Sequence, residues 1–339
     1  MRLTLPTLRS RTTTGLPPAV AAASAHGQWF SRDEAIMGTA IHVELWSDDA
    51  SAARQAIDAV MAEMHRIDRL MSPYKDDSEL SRINRDAARA AVPIGAEMFD
   101  LIERSLDFSR LSDGAFDITY AAVGHLYDYR NGVAPDAAAL ERARRQVGWQ
   151  HLLLDKGART IRFAREGVRI DLGGFAKGHV VDNSIRILRQ RGIAHAVVAA
   201  GGDSHVMGDR CGRPWSIAIR DPRDRQRVVA VLPLRDTSIS TSGDYERFFE
   251  RDGVRHHHLI DPKTGTSPAA LHSVTILAAD GLTSEALSKC VFVMGLASGM
   301  RLIESQPGVD AVVVDAAGTL HFSAGLAAAE RPSGGVTPQ

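Results

Sequence analysis

The sequence predicts an α+β fold, one large domain with mixed sheets and flanking helices. Apolar residues recur at helical spacing in some segments and alternate, or run together, in others. These segments succeed one another without the regular strand–helix alternation of a doubly wound sheet. No Pro/Gly/Ser linker and no internal repeat divides the 339 residues. The reading is a tail or signal segment at 1–34, a folded domain at 35–329 and a disordered end at 330–339.

Taken in order, "TAIHVELW" (39–46) alternates as a strand does, and "SAARQAIDAVMAEMHRIDRLM" (51–71) carries apolar residues at helical spacing. "MSPYKDDSELSRIN" (71–84) opens an acidic helix start that Asp77 or Ser78 can cap. "EMFDLIERSLDFSRLSDG" (97–114) is a helix stopped by Gly114. "TIRFA" and "GVRIDLGG" read as neighbouring strands, and "HVVDNSIRILRQRG" (179–192) as an amphipathic helix closed by Gly192. "AHAVVAAGG", "WSIAIRDP", "VVAVLPL" and "SVTILAAD" add strands, while "YERFFE" suits helix or strand. Two helices, "SEALSKCVFVMG" (284–295) and "ASGMRLIESQPG", and the strand "DAVVVDAAG" complete the domain.

The net charge is −1, so no basic excess attracts nucleic acid or an anionic membrane, and an anionic ligand needs a local site. No stretch approaches the roughly 20 apolar residues of a membrane span. Cys211 and Cys290 make neither a disulfide framework nor a zinc site. Arg2, Arg9 and Arg11 precede "GLPPAVAAASA", which ends in Ala23-Ser24-Ala25. That pattern suits a secretory signal and a periplasmic location; Pro17 and Pro18 interrupt it, and a cytoplasmic protein with a polar tail is the alternative.

Chemistry concentrates in a few loops. In "RIDLGGFAKGHVVDNS" (169–184) glycines bracket a helix entrance, where main-chain N–H groups can cradle phosphate and Lys177 can add charge. The spacing is neither a Walker loop nor GxGxxG, and a tight turn with an exposed lysine fits as well. "AAGGDSHVMGD" (199–209) displays Asp203 at a strand end, or simply turns a hairpin. In "RHHHLIDPKTG" (255–265) consecutive histidines alternate faces, so they do not share a metal; His258, next to the turn, is the candidate general base. Tyr74 can stack on a flat heteroaromatic ring.

In this order, the stretches resemble the FAD:protein FMN transferase family (ApbE). Met37-Gly38-Thr39, Tyr74 with Ser78-Glu79-Leu80-Ser81, Gly114 to Asp117 and Asp171 to Gly178 match family motifs. So do Ala200 to Asp203, Thr241 to Tyr245 and His258 to Gly265, across about residues 36–325. The resemblance implies a protein that binds FAD and, with Mg²⁺, moves its FMN half to a Ser/Thr hydroxyl of a target flavoprotein; some relatives hydrolyse FAD. Carried over by motif, FAD contacts fall at Met37, Tyr74, Ala115, Phe116, Asp117, Asp171, Lys177 and Ile260, and His258 activates the acceptor hydroxyl. The metal falls at the Gly174 carbonyl and on the helix carrying Glu285, Ser288 and Lys289. Here the chain departs: the family pattern Ala-Asp-x-x-(Ala/Asp)-Thr is replaced by Ser284-Glu285-Ala286-Leu287-Ser288-Lys289. An ammonium cannot ligate Mg²⁺. Lys289 is therefore expected to replace the metal, which makes a catalytically weakened FAD-binding protein, or an FAD pyrophosphatase, the alternative function.

Overall fold

The computed structural model describes residues 27–224 and 226–329. The signal-like pattern and the C-terminal segment 330–339 lie outside the described residues. In chain order come β1 (Gln28–Ile36), β2 (Thr39–Ser47), α1 (Ala50–Met71), α2 (Glu79–Asp86), β3 (Val92–Pro93) and α3 (Ala96–Leu111). Then follow α4 (Ala121–Gly124), α5 (Ala137–Arg144), β4 (Leu152–Asp155), β5 (Thr160–Phe163) and α6 (Ala176–Gln190). The strands β6 (Ala196–Ala200), β7 (Asp203–Met207), β8 (Trp215–Arg220), β9 (Val228–Leu234) and β10 (Thr237–Gly243) lead to the hairpin β11 (Phe248–Arg251) and β12 (Val254–His257). The chain ends with β13 (Leu271–Ala278), α7 (Gly281–Met294), α8 (Leu296–Glu304), β14 (Asp310–Asp315), β15 (Leu320–Phe322) and α9 (Ala324–Ala329).

An eight-stranded sheet, ordered β1-β2-β6-β7-β10-β13-β14-β15, organises the domain. Its neighbours are antiparallel throughout. Helices α1, α6 and α7 pack on one face, burying the apolar stripe of α1 (Ile57, Val60, Met64, Ile67) against Ile41, Val43 and Leu45 of β2. The hairpin β8–β9 covers part of the other face through Trp215, Ile217 and Leu232, which pack with Val206 and Ile239. Strand β13, inside the sheet, is buried at every position but His272, its Ser273 and Thr275 included.

Helix starts follow their side chains. Asp49 accepts from the Ser51 and Ala52 N–H groups at 2.7 and 3.0 Å, and Ser78, one of the two expected caps, accepts from Ser81 at 2.9 Å. Helix α7 starts at Asp280, whose carboxylate accepts from Thr283 N–H at 2.7 Å. Its N-terminus also meets α6 at two glycines: a Cβ on Gly178 would stand 2.3 Å from the Gly281 carbonyl oxygen. Asp182 of α6 seals the crossing by accepting from Gly281 and Leu282 N–H at 2.6 and 3.0 Å.

Two expectations need correction, and one open reading is decided. The folded chain starts at β1, upstream of residue 35, because Gln28–Ile36 pairs with β2 along its whole length. "GVRIDLGG" is extended but is no strand: the Asn84 side chain takes both the N–H and the carbonyl of Ile170, at 2.8 and 2.9 Å, where a ladder partner would sit. Of "YERFFE", left open between helix and strand, the part from Phe248 is strand, pairing Phe248 with His257, while Tyr245 to Arg247 turn.

Candidate functional site

The site lies where the entrance of α6, the buried start of β7, strand β10 and the middle of α7 converge. Glu285, fully buried, accepts from Lys177 Nζ at 2.6 Å through Oε1 and from the Gly178 N–H at 2.6 Å through Oε2. Lys177 Nζ also donates to Asp203 Oδ2. Burial opposes the charge on Lys177, yet Asp203 and Glu285 hold its ammonium well above the usual lysine range. Burial would raise Asp203, but the Lys177 and Lys289 charges keep its carboxyl below the usual range. The other Asp203 oxygen accepts from Ser240 Oγ. Lys177, expected by motif to contact FAD, is thus tied here to two carboxylates.

Lys289 differs. It sits one turn beyond Glu285 on α7, with Nζ 3.3 Å from Glu285 Oε1, its polar partner among the described residues. Its side chain runs past Gly174, where an added Cβ would stand 3.6 Å from Lys289 Cε. Burial lowers its pKa despite Glu285 and Asp203, the mark of an incompletely matched ammonium. Ser288 turns the other way, toward β10: its hydroxyl is 2.8 Å from Ser242 Oγ and donates to the Glu285 carbonyl at 2.8 Å. It does not join Lys289.

His258 lies just past β12, its N–H bonded to the Arg247 carbonyl at 3.0 Å and its Nδ1 buried without a partner. Burial, and then the charge of Arg247 with smaller contributions from His257, Lys289 and Lys177, push it down to about 3, so the imidazole is neutral at physiological pH. The neighbouring histidines are committed elsewhere. His256 stacks on Phe249 at 5.0 Å, while His257 packs its edge against Phe292 and places Nε2 2.9 Å from the Pro268 carbonyl.

The residues expected by motif to contact flavin differ in exposure. Tyr74 projects from the turn before α2 with 89% of its surface exposed, a ring free to stack. Met37 and Gly38 form the β1–β2 turn with φ of 54° and 67°, and an added Cβ on Gly38 would lie 3.9 Å from the Arg247 guanidinium. Positive φ at both residues is the geometry by which a two-residue turn joins antiparallel strands, here beside Arg247. Asp171, whose Oδ1 accepts from Gly173 N–H, is raised by burial and shares its surroundings with Arg247 and Tyr120.

Phe116 belongs instead to the core, 5.6 Å from Phe175 and 6.0 Å from Phe108, and Ala115 is buried. Both Asp117 oxygens are spent on Thr119 and on Trp149 N–H (2.8 and 2.7 Å), and Ile260 packs with Val123 and Tyr127. A depression of about 370 Å³ beside them, lined by Asp113, Gly114, Asp117, Trp149, Pro262 and Lys263, brings the 114–117 and 260–263 segments together.

Arg247, Tyr120 and Ser240 are not singled out by the sequence, and Ser242 enters only as part of the Thr241–Tyr245 motif. Period-two spacing in "SISTSG" could have put both serines on one face of β10. Arg247 and Tyr120 carry no comparable local signal.

A magnesium ion requires roughly six oxygens at about 2.0–2.1 Å. Both Glu285 oxygens are engaged by N–H donors, Ser288 faces β10, and an ammonium stands between Glu285 and Gly174. Among the described residues no group of three or more His, Cys, Asp or Glu side chains can hold a metal. The residues present do not fit Mg²⁺.

The ApbE family model matches residues 37–313. An FAD:protein FMN transferase of Treponema pallidum (strain Nichols) is 33% identical over 316 residues, covering 88% of this chain and 87% of that protein. One from Salmonella typhimurium is 31% identical over 279 residues, covering 80% of each. The crystal structure of the ApbE protein from Thermotoga maritima matches with a TM-score of 0.83 at 32% identity, covering 90% of this chain and 100% of that one. The flavin transferase ApbE from Vibrio cholerae matches with a TM-score of 0.80 at 26% identity, over 89% and 99%. With the glycine-lined α6 entrance, the 258–265 turn and the α7 cluster all within the matched span, this chain belongs to the ApbE family.

Proposed function

We propose that this protein transfers the FMN half of FAD to a Ser or Thr hydroxyl of a flavoprotein. The observation that carries this reading is the neutral His258 imidazole, its Nδ1 unpartnered, set among the charges of Arg247, Lys177 and Lys289. The acceptor hydroxyl oxygen attacks the FMN-side phosphorus, and the bond from that phosphorus to the bridging oxygen breaks. AMP leaves with that oxygen, and the hydroxyl proton passes to His258. Free His258 is a weak base because it is buried and cations stand near it; a bound pyrophosphate supplies negative charge that raises its basicity where the proton must go. Tyr74 is placed to stack on the isoalloxazine and the Met37–Gly38 turn to border it. No step is routed through Mg²⁺, since the residues at 285–289 do not form its site.

The test is incubation of the protein with FAD and a flavoprotein acceptor, read by mass. An FMN adduct on the acceptor, lost in His258→Ala, supports transfer. Free FMN and AMP without adduct would replace it with FAD pyrophosphatase activity, and bound but unchanged FAD with a flavin-binding role.

A periplasmic location belongs to the same reading. It is supported by Arg2, Arg9 and Arg11 ahead of an apolar segment ending in Ala23-Ser24-Ala25. Fractionation with mass measurement of the mature chain tests it: an uncleaved chain in the cytoplasm would reject it.

A further inference from the structure

We infer that the Lys289 ammonium takes the place of a divalent cation at this site, so that FAD is held without a dissociable metal. The inference rests on the transferase reading and concerns how that site handles pyrophosphate. Lys177 and Lys289 are treated unequally by the fold. Lys177 is gripped by two carboxylates and has no charge to spare, whereas Lys289 meets only an oxygen of Glu285 that Lys177 already holds more closely, at 2.6 against 3.3 Å. An ammonium has three donors. One is directed at Glu285, which leaves two for phosphate oxygens; the missing side chain at Gly174 lets the Lys289 methylenes pass alongside, with Cε 3.6 Å from where a Cβ would stand.

The carboxylates explain why a cation-for-cation exchange is needed. Asp203 and Glu285 balance Lys177 and Lys289 one for one, so the cluster is neutral. Removing Lys289 without a replacement leaves an excess negative charge facing a dianionic pyrophosphate. A metal could restore the balance only if Glu285 released its N–H donors and Lys289 left the gap. As long as Lys289 stays, charge repulsion and the lack of oxygen ligands both oppose metal entry. The geometry also sets a limit: an ammonium brings one positive charge where Mg²⁺ brings two, and it has no coordination shell to align an attacking hydroxyl. Holding FAD is therefore favoured over fast transfer.

The test is FAD titration of the full chain by flavin fluorescence, in EDTA and in excess Mg²⁺, with Lys289→Met and the double variant Glu285→Asp/Lys289→Thr in parallel. Wild type is expected to bind FAD within about twofold in the two conditions. Lys289→Met keeps the Glu285–Lys177 pair and should lose about tenfold or more in EDTA, the scale of a lost charge-assisted phosphate contact. The double variant should bind FAD only with Mg²⁺, and calorimetry should show Mg²⁺ uptake in it and none in wild type. Loss of wild-type affinity in EDTA, or Mg²⁺ binding by wild type, would overturn this inference and leave the transferase reading standing. Unchanged affinity in folded Lys289→Met overturns it as well. Absence of FAD binding in every arm would overturn both.

Discussion

Lys177 Nζ and Glu285 Oε1 lie 2.6 Å apart across the α6–α7 contact, while the main-chain N–H of Gly178 holds the other Glu285 oxygen at the same distance. One carboxylate thus fastens two helices through a charge and a peptide group. Lys177→Met should destabilise the fold by about 3–5 kcal/mol, the scale for breaking a buried pair, because Asp203 and Glu285 would lose their shared cation. Urea denaturation checks this. A variant as stable as wild type but weak in FAD binding would return Lys177 to ligand contact.

His258→Ala should abolish transfer and leave FAD binding within about twofold, since a proton acceptor contributes mainly to the chemical step. His256→Ala and His257→Ala should instead lower thermal stability, because those rings pack on Phe249 and Phe292. Equal loss of transfer in all three correctly folded variants would dissolve the distinction.

Tyr74→Ala should weaken FAD binding roughly two- to tenfold through lost stacking, with the melting temperature unmoved. The ring is almost wholly exposed, so the fold does not lean on it. Unaltered affinity would place the isoalloxazine elsewhere.

Acid should destabilise the protein through buried neutral histidines. His205 bonds Ser238 Oγ at 2.6 Å, leaves Nε2 without a partner, and is pushed down to about 4 by burial and then by the charge of Arg189. The unfolded chain takes up this proton at pH ~6.5 and the folded chain only at about 4, so its contribution is present above about 6.5 and is lost on the way down. His258 acts with the same sign. Melting temperature should fall between about pH 7 and pH 5, and less steeply in His205→Gln. An unchanged slope in that variant would point to other groups.

The Gly-rich α6 entrance, the Asp-Pro-Lys-Thr-Gly turn and the amphipathic helices are written in short stretches of chain. Residue types at fixed spacing set their local geometry, so the α+β class and the order of the motifs could be read in advance. Lys289 as an anomaly could be read too, because an ammonium stands where the pattern calls for an oxygen. What Lys177 does could not. Its carboxylate partners lie 26 and 108 residues away, and they are its partners because Gly178 and Gly281 let the entrances of α6 and α7 touch main chain to main chain. Likewise, the extended backbone at Ile170 could be read from its neighbours; whether it joined a sheet depended on Asn84, far upstream, reaching its polar groups first. Periodicity and turn chemistry act over a few residues, whereas the choice of partner for a buried charge or an open peptide group is made only when distant elements pack.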